Sequence, residues 1–385
     1  MATKFCLLLL GSASALHAYG HAYQDPGDFS AAQYAAIAAK FPVFTVEKRH
    51  ANAVYGNQSA ATHGTPASFN SIAASVGTAR KIKALNASVK VLMYWNSALH
   101  FNFYECESEV QPSWLLPPKH TAANANAPLG APSQRVYNYS VGAFRAWWVR
   151  CAADAVRGSG GALDGLFLDA VPKVDTLMPE GGAPAQAQWN AMLDELRAAL
   201  GPDALLLYNG FFLSPGAGKL AGDDAWAHAG AAYTESLSKV GTDNSSAATL
   251  DRDVEHLAWI AAAAAAHPER VLVGHGNSGT AAAFEYGLAK YLLICATQAE
   301  GFFLANSGYE IDQGVLLPQW QYDYAASEGG GGNFTLGEPL GNFTRAGAHG
   351  YVLQRRFSGG SVEVDLQHQT SAIALSSTTT AAVLE

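Results

Sequence analysis

Short apolar runs rich in β-branched and aromatic residues alternate along this chain with longer amphipathic stretches, the periodicity of repeated strand–helix units. Runs of strand character are FPVFTVEK (41–48), VKVLMYWN (89–96), RVYNYS (135–140) and DGLFLDAV (164–171). ALLLYNGF (204–211), AAYTES (231–236), RVLVGHGN (270–277) and EGFFLANS (300–307) follow, making eight. Helical spacing of apolar residues predicts helices over 68–85, 141–157, 186–200, 249–266 and 281–296, the third ended by Gly201-Pro202. RVYNYS is short and polar for a strand, and the unit before the sixth run has little room for a helix. Eight such units predict an α/β chain folded as a (β/α)8 TIM barrel rather than a doubly wound sheet.

The texture changes from about residue 309. SEGGGGNFT (327–335) is a Gly-rich loop, after which GYVLQRRF, SVEVDLQ and TSAIAL alternate like antiparallel strands. Gly359-Gly360 reads as the hairpin turn between the first two. No helical pattern remains for a ninth strand–helix unit, so a small C-terminal antiparallel β appendage is expected, ending in a frayed tail.

The N-terminus, MATKFCLLLLGSASALHA, reads as a secretory signal. Lys4 supplies the positive end, Phe5 to Leu10 the apolar run, and Ala13-Ser14-Ala15 the small-residue cleavage pattern. The expected division is therefore a leader at 1–18, a catalytic barrel at 19–308 and a β-rich appendage at 309–385. No later segment has the apolar length of a membrane span. Six Asn-x-Ser/Thr sequons, at Asn57, Asn86, Asn138, Asn244, Asn333 and Asn342, suit a glycosylated extracellular product. Without Cys6, three cysteines remain. Pairing Cys106 with Cys151 is favoured, because Cys295 sits in the apolar helical run YLLICA.

Composition narrows the function. The 385 residues are 49% hydrophobic and 14% charged, ample for a large core. A net charge of −9 with no Lys/Arg run argues against nucleic acid. No H-E-x-x-H, C-x-x-C or dense Asp/Asn loop implies a metal, and no G-x-S-x-G implies a serine hydrolase. GHGNSG (274–279) has dinucleotide-fingerprint spacing, but it falls at the seventh strand, and the acid beyond it, Glu300, opens a strand instead of closing one. A phosphate or sugar-anion site at that helix start is the milder version. No cofactor is expected.

Barrel chemistry sits at the carboxyl ends of the strands. Those ends carry Glu47, Trp95-Asn96, Asn138, Asp169, Asn209, Glu235, His275 and Asn306. Two carboxylates facing one cavity are what glycosidic cleavage needs, one attacking the anomeric carbon and one protonating the departing oxygen. Asp169, after the fourth strand, is the candidate nucleophile, and Glu235, after the sixth and near Tyr233, the candidate acid and base. Glu47, Asn96, Asn209, Tyr233, His275 and Asn306 are candidate sugar contacts. Trp95, Trp147 and Trp148 offer stacking faces, although the 147–148 pair is helical and at least one of them is core.

Plainer readings stand beside each assignment. Asp169 is equally the kind of acid that caps a loop, and Glu235 the kind that stands exposed on one. Glu47 precedes Lys48-Arg49 and has an ion-pair partner at hand. Asn209-Gly210 is an ordinary turn signal, and a single histidine such as His275 is often structural.

FPVFTVEK, VLMYWNSALHFNFYE, DGLFLDAV and LGEPLGNFT…GYVLQRRFSGGSVEVDL together resemble uncharacterised glycoside-hydrolase-like (β/α)8 proteins. More distantly they resemble α-galactosidase and endo-α-1,4-polygalactosaminidase barrels. In α-galactosidase-type barrels the nucleophile ends strand four and the acid/base ends strand six, which the resemblance carries onto Asp169 and Glu235. Where such proteins hold a further acid after DGLFLD, this chain has Ala170-Val171-Pro172-Lys173. That departure leaves room for a non-catalytic descendant. The reading is a secreted retaining glycosidase acting on an α-linked oligo- or polysaccharide, with an inverting mechanism left open because sequence does not give the carboxylate separation. The alternatives are a carbohydrate-binding barrel without turnover, or a structural wall or matrix glycoprotein.

Overall fold

The computed structural model describes residues 17–24, 27–48, 50–51, 70–100, 104–116, 135–170, 183–213, 220–221, 223–276, 280–297, 301–305, 309, 311 and 336–375. Eight parallel strands close a barrel: β1 (His17–Ala22), β2 (Val43–Val46), β3 (Lys90–Asn96), β4 (Gly165–Asp169), β5 (Leu205–Asn209), β6 (Gly230–Thr234), β7 (Val271–Gly276) and β8 (Gly301–Ala305). Each pairs with its neighbour in sequence, and β1 against β8 closes the ring. Around it lie α1 (Ala31–Lys40), α2 (Ser71–Leu85), α3 (Gly142–Gly158), α4 (Ala183–Leu200), α5 (Asp223–Ala229), α6 (Ala247–Ala266) and α7 (Ala281–Ile294).

Two strand expectations fail, and they cancel. RVYNYS is not a barrel strand: Arg135–Val136 instead pairs antiparallel with Leu99–His100 in the excursion after β3. The barrel begins earlier than expected, at HAYGHA, two residues inside the expected leader and before the expected barrel start at 19. The order therefore still makes Gly165–Asp169 the fourth strand and Gly230–Thr234 the sixth. The little room before β6 is filled by the two-turn helix α5.

Pleat alternation then decides which side chains face the barrel axis. Positions 43, 205, 207, 231, 271 and 273 meet around a small apolar void inside the barrel. One layer up, Phe167 and Tyr233 are in ring contact at 5.3 Å, and His21 lies 4.7 Å from Phe167. Two residues further along each strand come 47, 169, 209, 235 and 275, at the mouth. The bottom of the barrel is held differently: Asp164 accepts from Val91 N at 2.8 Å and is paired with Lys83 (2.7 Å) and Lys90 (3.1 Å). Of the two acids bracketing this strand, Asp164 is structural.

The excursion after β3 is fastened by a disulfide joining Cys106 to Cys151 on α3, while Cys295 is a buried free thiol. Glu105, next to that bridge, accepts from Ile72 N (3.1 Å) and Ala73 N (2.9 Å), capping α2 from a distant part of the chain.

The appendage is an antiparallel sheet, β9 (Thr344–Ala346), β10 (Val352–Phe357), β11 (Gly360–Asp365) and β12 (Thr370–Leu375). The tight turn between β10 and β11 is Ser358-Gly359 rather than Gly359-Gly360, since Phe357 pairs with Gly360. Arg355 fastens the sheet to α7: its Nη1 donates to the carbonyls of Leu292 (2.9 Å), Leu293 (3.1 Å) and Cys295 (2.6 Å) at the helix end. Past β8, Tyr309 O accepts from Tyr23 N at 2.8 Å and Ile311 N donates to Tyr23 O at 3.0 Å, which ties residues 309 and 311 to the end of β1. No helix among the described residues is long and apolar enough to cross a membrane.

Candidate active site

Asp169 ends β4 and is half-buried. One oxygen, Oδ2, accepts a short hydrogen bond from the Tyr94 hydroxyl, and the other, Oδ1, accepts from Asn209 Nδ2 at 2.9 Å. Burial, reinforced by the neighbouring Asp169 charge, holds the Tyr94 phenol well above its ordinary value, so it keeps its proton and stays a donor. Asn96 Nδ2 in turn donates to the Tyr94 oxygen at 2.9 Å. The residue after Asp169 is Ala170 with φ 65°, a left-handed conformation that costs a non-glycine residue on the order of 1 kcal/mol. The chain thus leaves the sheet sharply just past the acid.

Glu235 opens the 3₁₀ turn Glu235–Lys239 that continues β6. Its Oε2 accepts from the same Asn209 nitrogen, at 2.8 Å. Two oxygens 2.9 and 2.8 Å from one nitrogen can be at most 5.7 Å apart. With the two N–H bonds of a planar amide about 120° apart, linear hydrogen bonds correspond to a separation of about 5 Å.

Glu47, which is 4% exposed, pairs with its neighbour Lys48, whose ammonium lies 3.9 Å from the Tyr94 ring centroid. The ion pair that the sequence suggested for Glu47 is therefore present, and it lies at the mouth beside the residues that hold Asp169. His275 stands 5.7 Å from the Tyr233 ring and 6.2 Å from Tyr309, which in turn lies 4.5 Å from His21. Burial, and then the charges of Lys48 and His275, holds His21 well below the ordinary histidine value, so it is neutral.

The structure thus brings Asp169, Glu235, Glu47, Asn209, Tyr233 and His275 to one end of the barrel. Asn96 reaches the same end, but its carboxamide is committed to the backbone: Oδ1 accepts from Ala98 N (3.0 Å) and Leu99 N (2.7 Å) while Nδ2 holds Tyr94. Its role is to set Tyr94 rather than to meet a sugar. Trp95 is a correction. Adjacent residues of a strand face opposite ways, so with Tyr94 and Asn96 inward Trp95 points outward. It is 1% exposed, stacked on Tyr104 at 4.0 Å and against Trp148 at 6.2 Å, and offers no face to a ligand. Trp147 and Trp148 are both core. Asn306 lies outside the described residues, as do the sequons Asn57 and Asn333. Of the remaining sequons Asn86 and Asn138 are half-buried, and Asn244 and Asn342 are exposed.

Four residues at the mouth or in the layer beneath it had no place among the sequence candidates: His21, Lys48, Tyr94 and Tyr309. Tyr94 was findable, since it lies two residues before the inward Asn96. Tyr309 has no sequence signal, because its place depends on the pairing with Tyr23. The G-x-G-x-x-G spacing has a packing explanation for its first two glycines. A Cβ at Gly274 would lie 2.1 Å from Tyr291 Cδ2, and one at Gly276 would lie 2.1 Å from Phe303 Cζ. Among the described residues no group of three His, Cys, Asp or Glu is placed to hold a metal ion.

Comparison with known proteins bears on this geometry. The family model described as hypothetical glycosyl hydrolase family 15 matches residues 83–361. No curated protein matches the sequence. Among solved structures, an α-amylase from Lactobacillus plantarum aligns over 90% of this chain and 87% of its own, at 12% identity and a TM-score of 0.50. An Anoxybacillus α-amylase aligns over 91% and 86%, at 11% identity and a TM-score of 0.50. The glycoside hydrolase domain of PelA from Pseudomonas aeruginosa aligns over 76% of this chain and 94% of its own, at 16% identity and a TM-score of 0.43. At such identities the amylases show a shared fold and nothing finer.

Proposed function

The chain belongs to the hypothetical glycosyl hydrolase family 15, and on that premise we propose that it hydrolyses an α-linked carbohydrate with retention of configuration. Asp169 is the nucleophile and Glu235 the acid and base. The observation that carries the reading is the single amide of Asn209 shared by the two carboxylates. A separation of about 5 Å matches the double-displacement arrangement. An inverting enzyme needs roughly 6.5–9.5 Å to admit a water between its acids.

The roles divide by surroundings. Both oxygens of Asp169 accept hydrogen bonds, from Tyr94 and Asn209, which fixes the carboxylate in orientation for attack on the anomeric carbon. Glu235 sits on a turn leading off the sheet, where it delivers a proton to the departing glycosidic oxygen. It then takes one from the water that cleaves the glycosyl ester. Glu47, Lys48, His275, Tyr233 and Tyr309 supply polar and aromatic groups around the bound sugar.

The same reading makes the protein an exported one. The leader pattern, the sequons and a disulfide of the kind kept in oxidising compartments support it. With β1 starting at His17, a cut ahead of that residue would leave the first barrel strand whole.

The test is hydrolysis of a panel of α-galactosides, α-glucosides and α-linked amino-sugar oligomers by the wild type and by Asp169→Asn. Turnover that the variant loses while still binding the sugar supports the proposal. Sugar binding without turnover in the wild type moves the protein to the carbohydrate-binding class. Neither activity favours a structural glycoprotein.

A further inference from the structure

Lys290, on α7, is fully buried, yet no described acid pairs with it at ion-pair distance. Its ammonium instead donates to two main-chain carbonyls, Leu237 O at 3.0 Å and Val240 O at 2.7 Å, and lies 4.7 Å from the Tyr286 ring centroid. Both carbonyls belong to the segment that begins with Glu235. Burying a cation costs several kcal/mol unless hydrogen bonds compensate it, and here both carbonyls that do so belong to this one turn.

The rest of that segment is fastened as heavily. Tyr286 donates to Gly241 O at 3.2 Å, and Asp253 on α6 accepts from Gly241 N at 2.7 Å. The appendage reaches the same stretch, Gln369 Nε2 donating to Thr242 O at 3.1 Å. Leu237 is wholly buried beside Gly274 of β7, where a side chain would displace it. By contrast the Glu235 carboxylate has one hydrogen-bond partner among the described residues, Asn209, so its position depends on how the turn is held from below.

We propose that Lys290 is a positioning residue for Glu235: from α7 it fixes the turn through the carbonyls of Leu237 and Val240 and so sets the acid at its distance from Asp169. The proposal rests on the acid/base role given to Glu235 above. Burial lowers Lys290 to about 7, against the opposing pull of Asp253, and a neutral amine keeps donors for both carbonyls. The clamp therefore survives in either protonation state.

A displaced general acid has a kinetic signature that general loosening does not. Protonation of the leaving group matters for a sugar or alkyl aglycone and hardly at all for dinitrophenolate, which departs unaided. Lys290→Met is expected to lower kcat/KM at least tenfold on a disaccharide or alkyl glycoside, with no more than about a threefold loss on the matching dinitrophenyl glycoside. General acid catalysis is worth about 10²–10⁴-fold. Lys290→Gln, which can satisfy one carbonyl, should fall between and covers the case in which the methionine variant does not fold. Equal losses on both substrates overturn the proposal.

A second measurement needs no substrate. Amide hydrogen exchange at residues 236–242 should accelerate at least tenfold in Lys290→Met or Lys290→Gln, with the barrel strands unchanged. Unchanged exchange there overturns the proposal, whatever the enzyme's activity. Faster exchange in a protein that cleaves no glycoside would sink the functional reading while leaving the clamp standing.

Discussion

Removing the amide that bridges the two acids tests the site without a substrate. Asn209 is 9% exposed and its nitrogen donates to both Asp169 (2.9 Å) and Glu235 (2.8 Å). Hydrogen bonds to charged acceptors contribute about 1.5–3 kcal/mol each. Two carboxylates about 5 Å apart, if both charged, repel by about 3 kcal/mol at an effective dielectric constant near 20. Water can replace part of what the amide supplied, because both acids are half-exposed. Asn209→Ala should therefore cost about 2–4 kcal/mol of stability at pH 7 in urea unfolding. In an Asp169→Asn, Glu235→Gln background both acceptors are neutral, their bonds are about half as strong and the repulsion is gone. The same substitution there should cost about 1 kcal/mol. The difference is the coupling energy of the bridge. Equal costs in the two backgrounds, within about 0.5 kcal/mol, would refute the shared-amide geometry.

Other consequences follow from particular contacts. Tyr94→Phe removes a donor from Asp169 and should lower kcat by about tenfold to a hundredfold with KM little changed, read on whichever α-glycoside the wild type cleaves. Lys290 has a folded value of about 7 against an ordinary 10.5. The unfolded chain therefore binds more protons through this window, and the destabilisation, full below about pH 7, is relieved as pH rises. Wild type should gain about 3 kcal/mol relative to Lys290→Met between pH 7 and 9.5 in paired unfolding curves; parallel curves would contradict the assignment. The Cys106–Cys151 bridge spans 45 residues, so Cys151→Ser should cost roughly 2–4 kcal/mol, measured by thermal unfolding against the oxidised protein. Protein collected from a eukaryotic secretory host should begin at or before His17 by N-terminal sequencing and lose mass on deglycosylation; a start within β1 would contradict the leader assignment.

The barrel was legible because most of its strands are short, continuous apolar runs set between amphipathic stretches, and the hidden β1 shows where that signal stops. HAYGHA carries inward histidine and tyrosine in place of aliphatic residues and follows directly on an apolar leader, so its pattern merges with the leader's. RVYNYS failed in the opposite sense: it has strand composition but pairs in a loop. The acids themselves could be read from the sequence because a polar residue closing an apolar strand is conspicuous, whereas the groups that give them their geometry were not. Asn209 reads in the sequence as a sugar contact or a turn residue, with nothing to show that it bridges the two acids, and the partners of Lys290 are carbonyls that only folding brings near. Trp95 was misread because being adjacent in sequence to Asn96 puts it on the other face of the strand.

Hydrolysis with retention, as proposed above, requires Asp169 to form a covalent bond to the sugar. A series of 5-fluoro-α-glycosyl fluorides, which form the glycosyl ester but release it slowly, can be incubated with the protein and the labelled peptide identified by mass spectrometry. A single adduct on Asp169 is expected, absent in Asp169→Asn, with Glu235→Gln slowing its turnover. An adduct on any other residue, or a product released with inverted anomeric configuration, would contradict it.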